Sequence, residues 1–217
     1  MSASVATDSG WQSRLRNAPQ QPRSQAKIEQ AVEAADRLLA RDGANAVTTT
    51  RVAAEAGIAV GTIYRYFPDK EALFDALAAR CLTRFESLMD DLVAQSRTEK
   101  WADPVGMLFD VYADLYRTDA SLRAIWFGGL LSEHLREADR AHKRVMAQGL
   151  RDILISQDIA GDTPELGTVC HAAMLASDAI TQEAFRNSDS GDTALMAEAK
   201  TMLRSYVDSI NARFAPA

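Results

Sequence analysis

Two histidine–carboxylate pairs come closest to a pattern that could bind a metal ion. Glu137 follows His134 by three positions and His142 follows Asp139 by three, so on a helix each histidine would share a face with a carboxylate. A structural zinc site needs about four such ligands in a fixed arrangement, and the sequence offers no third or fourth ligand at a characteristic spacing. Many further charges surround the pairs, which favours a solvated helix face. We therefore expect no metal ion and no cofactor.

Patterns typical of catalysis are also missing from the sequence. It contains no spaced nucleophile and base, no glycine-rich phosphate loop and no pair of carboxylates in a distinguishing context. Cys81 and Cys170 stand far apart and match neither a metal-binding nor a redox spacing, so we expect two reduced thiols. The prediction is that the protein is not an enzyme. An enzyme built only of helices is kept as an alternative, although it would need an arrangement that the sequence does not show.

The short segment from residue 59 to residue 67 combines small side chains with hydroxyl groups. Small residues let a backbone approach base edges and thymine methyl groups in the major groove of DNA. They stand at the start of the segment: Ala59, Val60, Gly61 and Thr62. The hydroxyls of Thr62, Tyr64 and Tyr66 add hydrogen-bonding groups. Ile63 and Phe67 are four positions apart and share one helix face, so they can anchor the segment while its other face meets DNA.

The residues before this segment predict the supports that would position it. Residues 24–42 carry apolar side chains at helical spacing, and Gly43 ends that helix. Thr48 is a good N-cap for a second, short helix that Gly57 closes, and residues 60–67 form a third. Two short helices joined by a glycine-containing turn are the pattern of a helix-turn-helix.

The rest of the chain is predicted to form further helices. A long amphipathic helix begins at Glu71, after a Pro-Asp break. Asp103 and Thr163 are expected to cap helices that start with proline, and Asp192 is expected to cap the last helix. The predicted ranges are 104–117, 120–130, 133–156, 164–187 and 193–213. Because no alternating β-type run of useful length is present, the predicted fold class is all-α.

Charge is distributed unevenly along the chain. The net charge is −6, but residues 1–80 hold ten Lys/Arg against nine Asp/Glu, a net of +1, and the remainder holds 14 against 21, a net of −7. This asymmetry suits a locally basic head on an acidic body. Residues 1–23 are rich in Ser, Gln, Pro and Asn and carry three arginines against one acid, so they are predicted to be a flexible basic arm.

No segment predicts a membrane span or secretion. No apolar run approaches the roughly 18 residues that a spanning helix needs, and the N-terminal segment lacks the apolar core of a signal peptide. We therefore expect a cytoplasmic protein with no membrane partner.

The stretch from Thr48 to Ala78, TTTRVAAEAGIAVGTIYRYFPDKEALFDALA, closely resembles the DNA-binding head of the TetR family of repressors. The features that match are the threonine-capped helix, the Ala-Gly turn, the Gly-Thr-Ile-Tyr run, the Tyr-Phe pair and the lysine before Glu-Ala-Leu-Phe. The resemblance implies that residues 24–70 form a helix-turn-helix domain that binds double-stranded operator DNA. It also implies that Tyr64 and Lys70 hold phosphates. Thr49 and Thr50 would touch the DNA backbone or the bases.

The resemblance further implies that residues 71–217 dimerise and bind a small molecule. Two apolar stripes would pair with a second subunit: Val169, Ala172, Ala176 and Ile180, and then Leu195, Met202, Val207 and Ile210. A segment rich in aromatic residues suits a hydrophobic pocket for an apolar or aromatic effector. The candidate pocket residues are Met107, Tyr112, Tyr116, Trp126 and Phe127. For each of them a place in a packed core is the alternative.

The predicted function is therefore a homodimeric transcriptional repressor that a small-molecule effector releases from its operator. Two heads must act together, because the short helix of residues 60–67 carries little positive charge. The alternative from a different class is a helical protein-interaction module that has lost DNA binding.

Overall fold

The computed structural model describes residues 21–130 and 132–216 of the chain. Within these ranges the protein forms nine α-helices and no β-strand, which confirms the predicted all-α class. The helices are α1 Pro22–Asp42, α2 Thr49–Ala56, α3 Val60–Tyr66, α4 Lys70–Ser96, α5 Pro104–Thr118, α6 Ala120–Phe127, α7 Glu133–Ser156, α8 Leu166–Arg186 and α9 Thr193–Phe214. Of the predicted arm, only residues 21–23 are described, and Pro22 already begins α1. The rest of that arm lies outside the described residues.

The chain divides into two compact units. The first unit comprises the described residues up to Arg84 together with Ala120–Ala138, and so contains α1, α2, α3 and α6 complete. The second comprises Phe85–Asp119 and the residues from Asp139 onward, and contains α5, α8 and α9 complete. As far as the chain is described, no helix is long and apolar enough to cross a membrane.

The core of the first unit is built around one face of α1. The buried residues of that face are all apolar: Ile28, Ala31, Val32, Ala34, Ala35, Leu38 and Leu39. Val52 of α2, Ile63 of α3 and Phe74 of α4 belong to the same cluster, and so do Ile125 and Leu135 from later in the chain. Burial of an apolar side chain of this size stabilises a fold by about 1.5–3 kcal/mol. The short helices α2 and α3 are therefore held by packing against longer ones.

Short-range hydrogen bonds fix both ends of α2. The Thr48 hydroxyl oxygen accepts a hydrogen bond from the N–H of Arg51 at 3.2 Å. At the other end Gly57 adopts a left-handed conformation with φ of 66°, which favours glycine because it has no Cβ atom. The N–H of Ile58 then donates to the carbonyl of Ala53 at 3.0 Å and closes the helix. The predicted N-cap and glycine turn are both confirmed.

The second unit has a hydrophobic core to which α7, α8 and α9 all contribute. Leu154, Leu166 and Cys170 belong to it, together with Val169 and Ile210. The predicted stripes place Val169 and Ile210 against a second subunit, but both are buried inside their own chain. That part of the prediction is wrong, because an apolar stripe does not reveal which surface covers it. Neither cysteine of the chain forms a disulfide in the structure, as predicted.

The start of α8 differs from the sequence-based expectation. Thr163 and Pro164 predict an N-cap and a first helical residue, but α8 begins at Leu166. The N–H of Leu166 donates to the carbonyl of Thr163 at 3.3 Å, which forms a turn before the helix. The Thr163 hydroxyl is buried without a hydrogen-bond partner among the described residues, so it caps no helix. Asp103 and Asp192 do cap α5 and α9, as predicted.

Asp103 combines a cap with an ion pair inside the second unit. Its carboxylate accepts a hydrogen bond from the N–H of Gly106 at 3.0 Å, and its other oxygen binds the Arg204 guanidinium at 2.6 Å. The pKa of Asp103 lies below its ordinary value of 3.8. The main cause is the hydrogen bond from the Arg204 guanidinium, and the second is the hydrogen bond from the Gly106 N–H. A carboxyl whose pKa is lowered by folding stabilises the protein above its unfolded pKa. That contribution is lost as the pH falls through the folded pKa.

We expect Asp103→Asn to lower the free energy of unfolding slightly at neutral pH, because exposed ion pairs are screened by solvent. Asparagine keeps the capping oxygen, so the substitution reports the charge and not the cap. Its stability should also fall less steeply than that of the wild type below about pH 4. Urea unfolding between pH 6 and pH 3 measures both effects. Equal losses of stability in the two proteins on acidification would contradict this role of the charge.

Candidate DNA-binding surface and effector site

Helix α3 turns one face to the core and the other to solvent. Ile63, in the middle of the helix, is 2% exposed and belongs to the core of the first unit. Tyr64 is 48% exposed, and Gly61 and Arg65 are exposed as well, whereas Thr62 is half-buried. This division is the one that a recognition helix needs, because it must be anchored on one side and free on the other.

Helical geometry shows which residues lie at the centre of the free face. Successive residues of an α-helix are rotated by about 100°, so residues two positions apart lie about 160° from each other around the axis. Gly61 and Arg65 each stand two positions from Ile63, and they therefore flank the point directly opposite it. Tyr64 and Thr62, one position from Ile63, lie on the two sides of the helix.

Tyr66 lies on the core side of α3. Its ring is half-buried and packs against the core of the first unit, and the guanidinium carbon of Arg65 stands 5.5 Å from the ring centroid. A DNA contact of Tyr66 stays a prediction, in which only the exposed edge of the ring could take part. Sequence reasoning did not select Arg65 for the DNA-binding surface, although its position two residues after the apolar Ile63 could have indicated it.

The residues at the start of α3 form a low, open surface. Ala59 and Gly61 are exposed, and Val60 is 41% exposed. A Cβ atom added at Gly61 would meet no heavy atom within 4 Å. A DNA backbone or base edge could therefore come close to this end of the helix.

The start of α2 brings only one of its two candidate threonines to the surface. Thr50 is exposed, and its hydroxyl oxygen lies 3.2 Å from that of Thr48. Thr49 is 7% exposed, so its side chain is buried. A DNA contact through the side chain is thus open to Thr50, whereas Thr49 could contribute only its backbone.

Ion pairs hold several of the described arginines of the first unit. Arg41 and Arg51 both bind Asp42, with nitrogen–oxygen distances of 3.0 and 2.7 Å, and the hydrogen bond from Arg41 is the main reason that the pKa of Asp42 lies below its ordinary value. Two further pairs are Arg37–Glu55 and Arg80–Asp36. Arg65 and Lys70 form no ion pair with any other described residue. The side chains of Arg65 and Lys70 are therefore not held by an acidic partner, although Asp69 and Glu71 flank Lys70 in the sequence.

The start of α4 holds Lys70 at the surface, four positions after the last residue of α3. The Asp69 carboxylate accepts a hydrogen bond from the N–H of Ala72 at 2.8 Å, which fixes the first turn of the helix. Lys70 is the first residue of that helix and is exposed. The backbone of Lys70 is thus placed by a capped helix.

The residues predicted to bind an effector belong to both units. Trp126 and Phe127 end α6 in the first unit, where Trp126 packs against the hydrophobic core. Met107, Tyr112 and Tyr116 lie on α5 in the second unit. The two tyrosines therefore lie one helical turn apart on the same helix. Trp126 instead packs in the first unit.

An aromatic cluster surrounds the two tyrosines in the second unit. Phe85 stacks on Tyr112, with ring centroids 5.8 Å apart and 14° between the ring planes, and contacts Tyr116 at 5.9 Å. Phe185 stacks on Tyr116 at 5.6 Å, and His142 meets the edge of Phe85 at 6.0 Å. Four helices thus contribute rings to one cluster. Sequence reasoning missed Phe85 and Phe185 as members, because they come from distant helices.

Charged groups border this aromatic cluster. Nδ1 of His142 lies 2.8 Å from Oε1 of Glu86. His142 is buried, so the prediction of a solvated face is wrong for this residue, which packs against the side chains of another helix. The pKa of the Tyr112 hydroxyl lies above its ordinary value, mainly because the group is buried and to a smaller extent because of the negative charge of Asp90. This hydroxyl therefore stays neutral. The cluster therefore pairs apolar rings with a small number of polar groups.

The two histidine–carboxylate pairs do not gather further metal ligands. His134 and Glu137 are exposed on α7. Asp139 binds Lys143 at 2.8 Å, and the same ammonium group binds Asp178 at 2.9 Å. Over residues 21–130 and 132–216, no group of three or more His, Cys, Asp or Glu side chains is arranged to hold a metal ion.

Protein-family comparisons match both parts of the chain. Residues 31–77 match the family described as bacterial regulatory proteins, tetR family, and residues 99–209 match the tetracyclin repressor-like C-terminal domain. The two matches together span more than half of the chain. The protein therefore belongs to the TetR family of transcriptional regulators, which confirms the resemblance seen in residues 48–78.

Individual relatives agree with this assignment. An uncharacterized HTH-type transcriptional regulator of Haemophilus influenzae is 32% identical over 99 residues, which are 46% of this chain and 45% of that protein. The match thus spans less than half of the relative's length. A TetR-family regulator from Streptomyces coelicolor shares the fold with a TM-score of 0.60 and 24% identity, covering 85% of this chain and 99% of that one. FadR from Bacillus subtilis, solved with stearoyl-CoA, has a TM-score of 0.59 and 21% identity, covering 84% and 99%.

The contact between Glu86 and His142 predicts a measurable effect on stability. Glu86→Leu removes the hydrogen-bond partner of a buried ring, and an unsatisfied buried polar group costs about 1–3 kcal/mol. We expect a loss of that order in the free energy of unfolding. Because His142→Phe places a further ring in an aromatic cluster, the double variant Glu86→Leu/His142→Phe should recover part of the loss. Urea denaturation of the three variants measures this, and strictly additive losses would contradict the expected coupling.

Proposed function

We propose that the protein is a dimeric, sequence-specific repressor that acts in the cytoplasm and leaves its operator when a small molecule binds. The observation that carries this proposal is the division of α3, with Ile63 in the core and Gly61 and Arg65 on the free face. A helix of this kind enters the major groove in helix-turn-helix proteins. Lys70, the first residue of α4, adds a positive charge that attracts phosphates.

Selection of duplexes from a random-sequence DNA library tests the proposal. We expect a motif with two symmetric half-sites, because two identical heads bind one operator. The affinity should fall as salt rises, since each phosphate contact releases counterions. A helical interaction module or an enzyme would retain no common motif, and that result would reject the proposal.

The proposed dimer interface lies on α8 and α9. Leu175 is 45% exposed and Met202 is 44% exposed, so the single chain leaves two large apolar side chains uncovered on these helices. Ala172 is also exposed and Ala176 is half-buried, which leaves room for a close approach of a second copy. Pairing the two copies joins two weakly charged heads, and their combined operator affinity exceeds that of either head alone.

The proposed effector is an apolar or aromatic small molecule. The aromatic cluster around Tyr112 and Tyr116 supports this, since binding sites for such ligands combine aromatic side chains with a few polar groups. FadR, which was solved with stearoyl-CoA, offers a parallel within the same fold, because its ligand carries a long acyl chain. The effector must favour a conformation whose heads do not fit the operator. A tenfold loss of operator affinity needs about 1.4 kcal/mol of such preference.

Lys70→Ala and Tyr64→Phe test the proposed phosphate contacts. Both should weaken binding to all operator variants by a similar factor and leave their rank order unchanged, because phosphates carry no sequence information. For Lys70→Ala the slope of log affinity against log salt should also fall by about one for each Lys70, and so by about two for the dimer. Arg144→Ala removes an exposed charge from the second unit and serves as the control. Unchanged affinity in both test variants would count against this docking of the head.

Leu175→Glu tests the interface on α8 and α9. The substitution would bury an unpaired charge between subunits, so the dimer dissociation constant should rise on the order of a hundredfold. Val145→Glu makes the same chemical change on α7, where Val145 is 51% exposed, and should leave the dimer intact. Analytical ultracentrifugation at micromolar protein measures both, and circular dichroism confirms the folding of each variant. Dissociation caused by the α7 control alone would place the interface elsewhere.

A further inference from the structure

We propose that Arg65 reads a guanine in each half of the operator and that Gly61 leaves the space through which its side chain reaches the base. The inference deepens the proposed function and rests on it, because it presupposes operator DNA in contact with α3. It adds a base-reading residue to a surface on which the other cation, Lys70, is expected to hold phosphate.

The position of Arg65 on α3 favours a contact with the base edges at the floor of the major groove over a contact with the phosphates at its sides. The major groove is about 12 Å wide and admits one α-helix, so the face opposite the protein core meets the base edges. Arg65 and Gly61 flank the point opposite Ile63, whereas Tyr64 and Thr62 stand at the sides. Side residues of such a helix meet the phosphate backbones that border the groove. The central position therefore belongs to Arg65.

The space in front of the Arg65 side chain is open. Long side chains on a helix lean towards its N-terminus and cover the turn before their own Cα atom. For Arg65 that turn carries Gly61, which has no side chain and where an added Cβ atom would meet nothing within 4 Å. The arginine can therefore extend along the free face without a neighbouring side chain beneath it.

The guanidinium of Arg65 is also chemically available. Arg41 and Arg51 are bound to Asp42, but Arg65 has no acidic partner among the described residues. Its guanidinium carbon stands 5.5 Å from the centroid of the Tyr66 ring. A cation–π contact at an exposed site is weak. It restricts the motion of the arginine side chain but does not prevent the side chain from contacting DNA.

The chemistry of the guanidinium selects guanine among the four bases. It is a planar fork of five N–H donors with no acceptor. In the major groove guanine presents two neighbouring acceptors, O6 and N7. Adenine pairs one acceptor with a donor, cytosine presents a donor, and thymine presents a single acceptor beside a methyl group. Only guanine offers the fork two neighbouring acceptor atoms.

Selection from a random-sequence duplex library, carried out with the wild type, Arg65→Ala, Arg65→Lys and Arg51→Ala, tests the inference. The wild-type motif should contain one guanine at symmetric positions of the half-sites that Arg65→Ala no longer selects, while the other positions are kept. Affinity for the wild-type motif should fall at least about thirtyfold in Arg65→Ala, because the dimer loses one bidentate contact in each half-site. Arg65→Lys should lose part of the preference, because lysine cannot bind both acceptors as a fork. Arg51→Ala, which removes an arginine held by Asp42, should keep the guanine.

Replacement of that guanine by 7-deazaguanine, which lacks the N7 acceptor, identifies the atom that is read. The wild type should lose affinity for the modified duplex, and Arg65→Ala should bind both duplexes equally. An unchanged motif with a uniform loss of affinity in Arg65→Ala would make Arg65 a phosphate contact and overturn the inference. Unchanged affinity would overturn it as well. If the wild type selects no motif at all, the proposed function fails first and the inference falls with it.

Discussion

Burial of Ile63 is the constraint on which the surface of the first unit depends. Helix α3 spans only Val60–Tyr66 and has no side-chain cap at its start. A helix of this length is not stable alone in water, so packing against α1 and α2 must hold it. Once Ile63 lies in that core, the rotation of α3 about its own axis is fixed. This rotation decides which of its other side chains face the core and which face solvent. The exposure of Gly61 and Arg65 follows from this one contact.

Ion pairing, and not the net charge, decides which cations of the first unit can meet DNA. The first 80 residues have a net charge of only +1, which is a poor indicator of DNA binding. The structure binds Arg41 and Arg51 to one carboxylate, Asp42, between α1 and α2. Arg65 and Lys70, in contrast, have no acidic partner among the described residues. The net charge of a segment thus does not show which of its cations are held by ion pairs and which can meet DNA.

The features that sequence predicted best are those fixed by neighbours in the chain. The caps at Thr48, Asp103 and Asp192 and the turn at Gly57 need only residues a few positions away, and sequence alone identified them. His142 shows what a local sequence pattern cannot predict. Its partner Glu86 lies 56 positions earlier, so no local pattern could show that the ring is buried. The same holds for the rings around Tyr112 and for the partners of the arginines, since both depend on how distant helices pack.

The first unit is assembled from two separate stretches of chain. Ile125 and Leu135 lie in the same core as α1, and the Ser121 hydroxyl donates to the carbonyl of Asp36 at 3.3 Å. A fragment that ended at Arg84 would lack these residues and would expose apolar surface of the core to water. Exchange of the head between related regulators would therefore have to carry α6 along. Chimeras joined only within α4 would combine one protein's α1 with another's α6, and their solubility would depend on how well those two surfaces match.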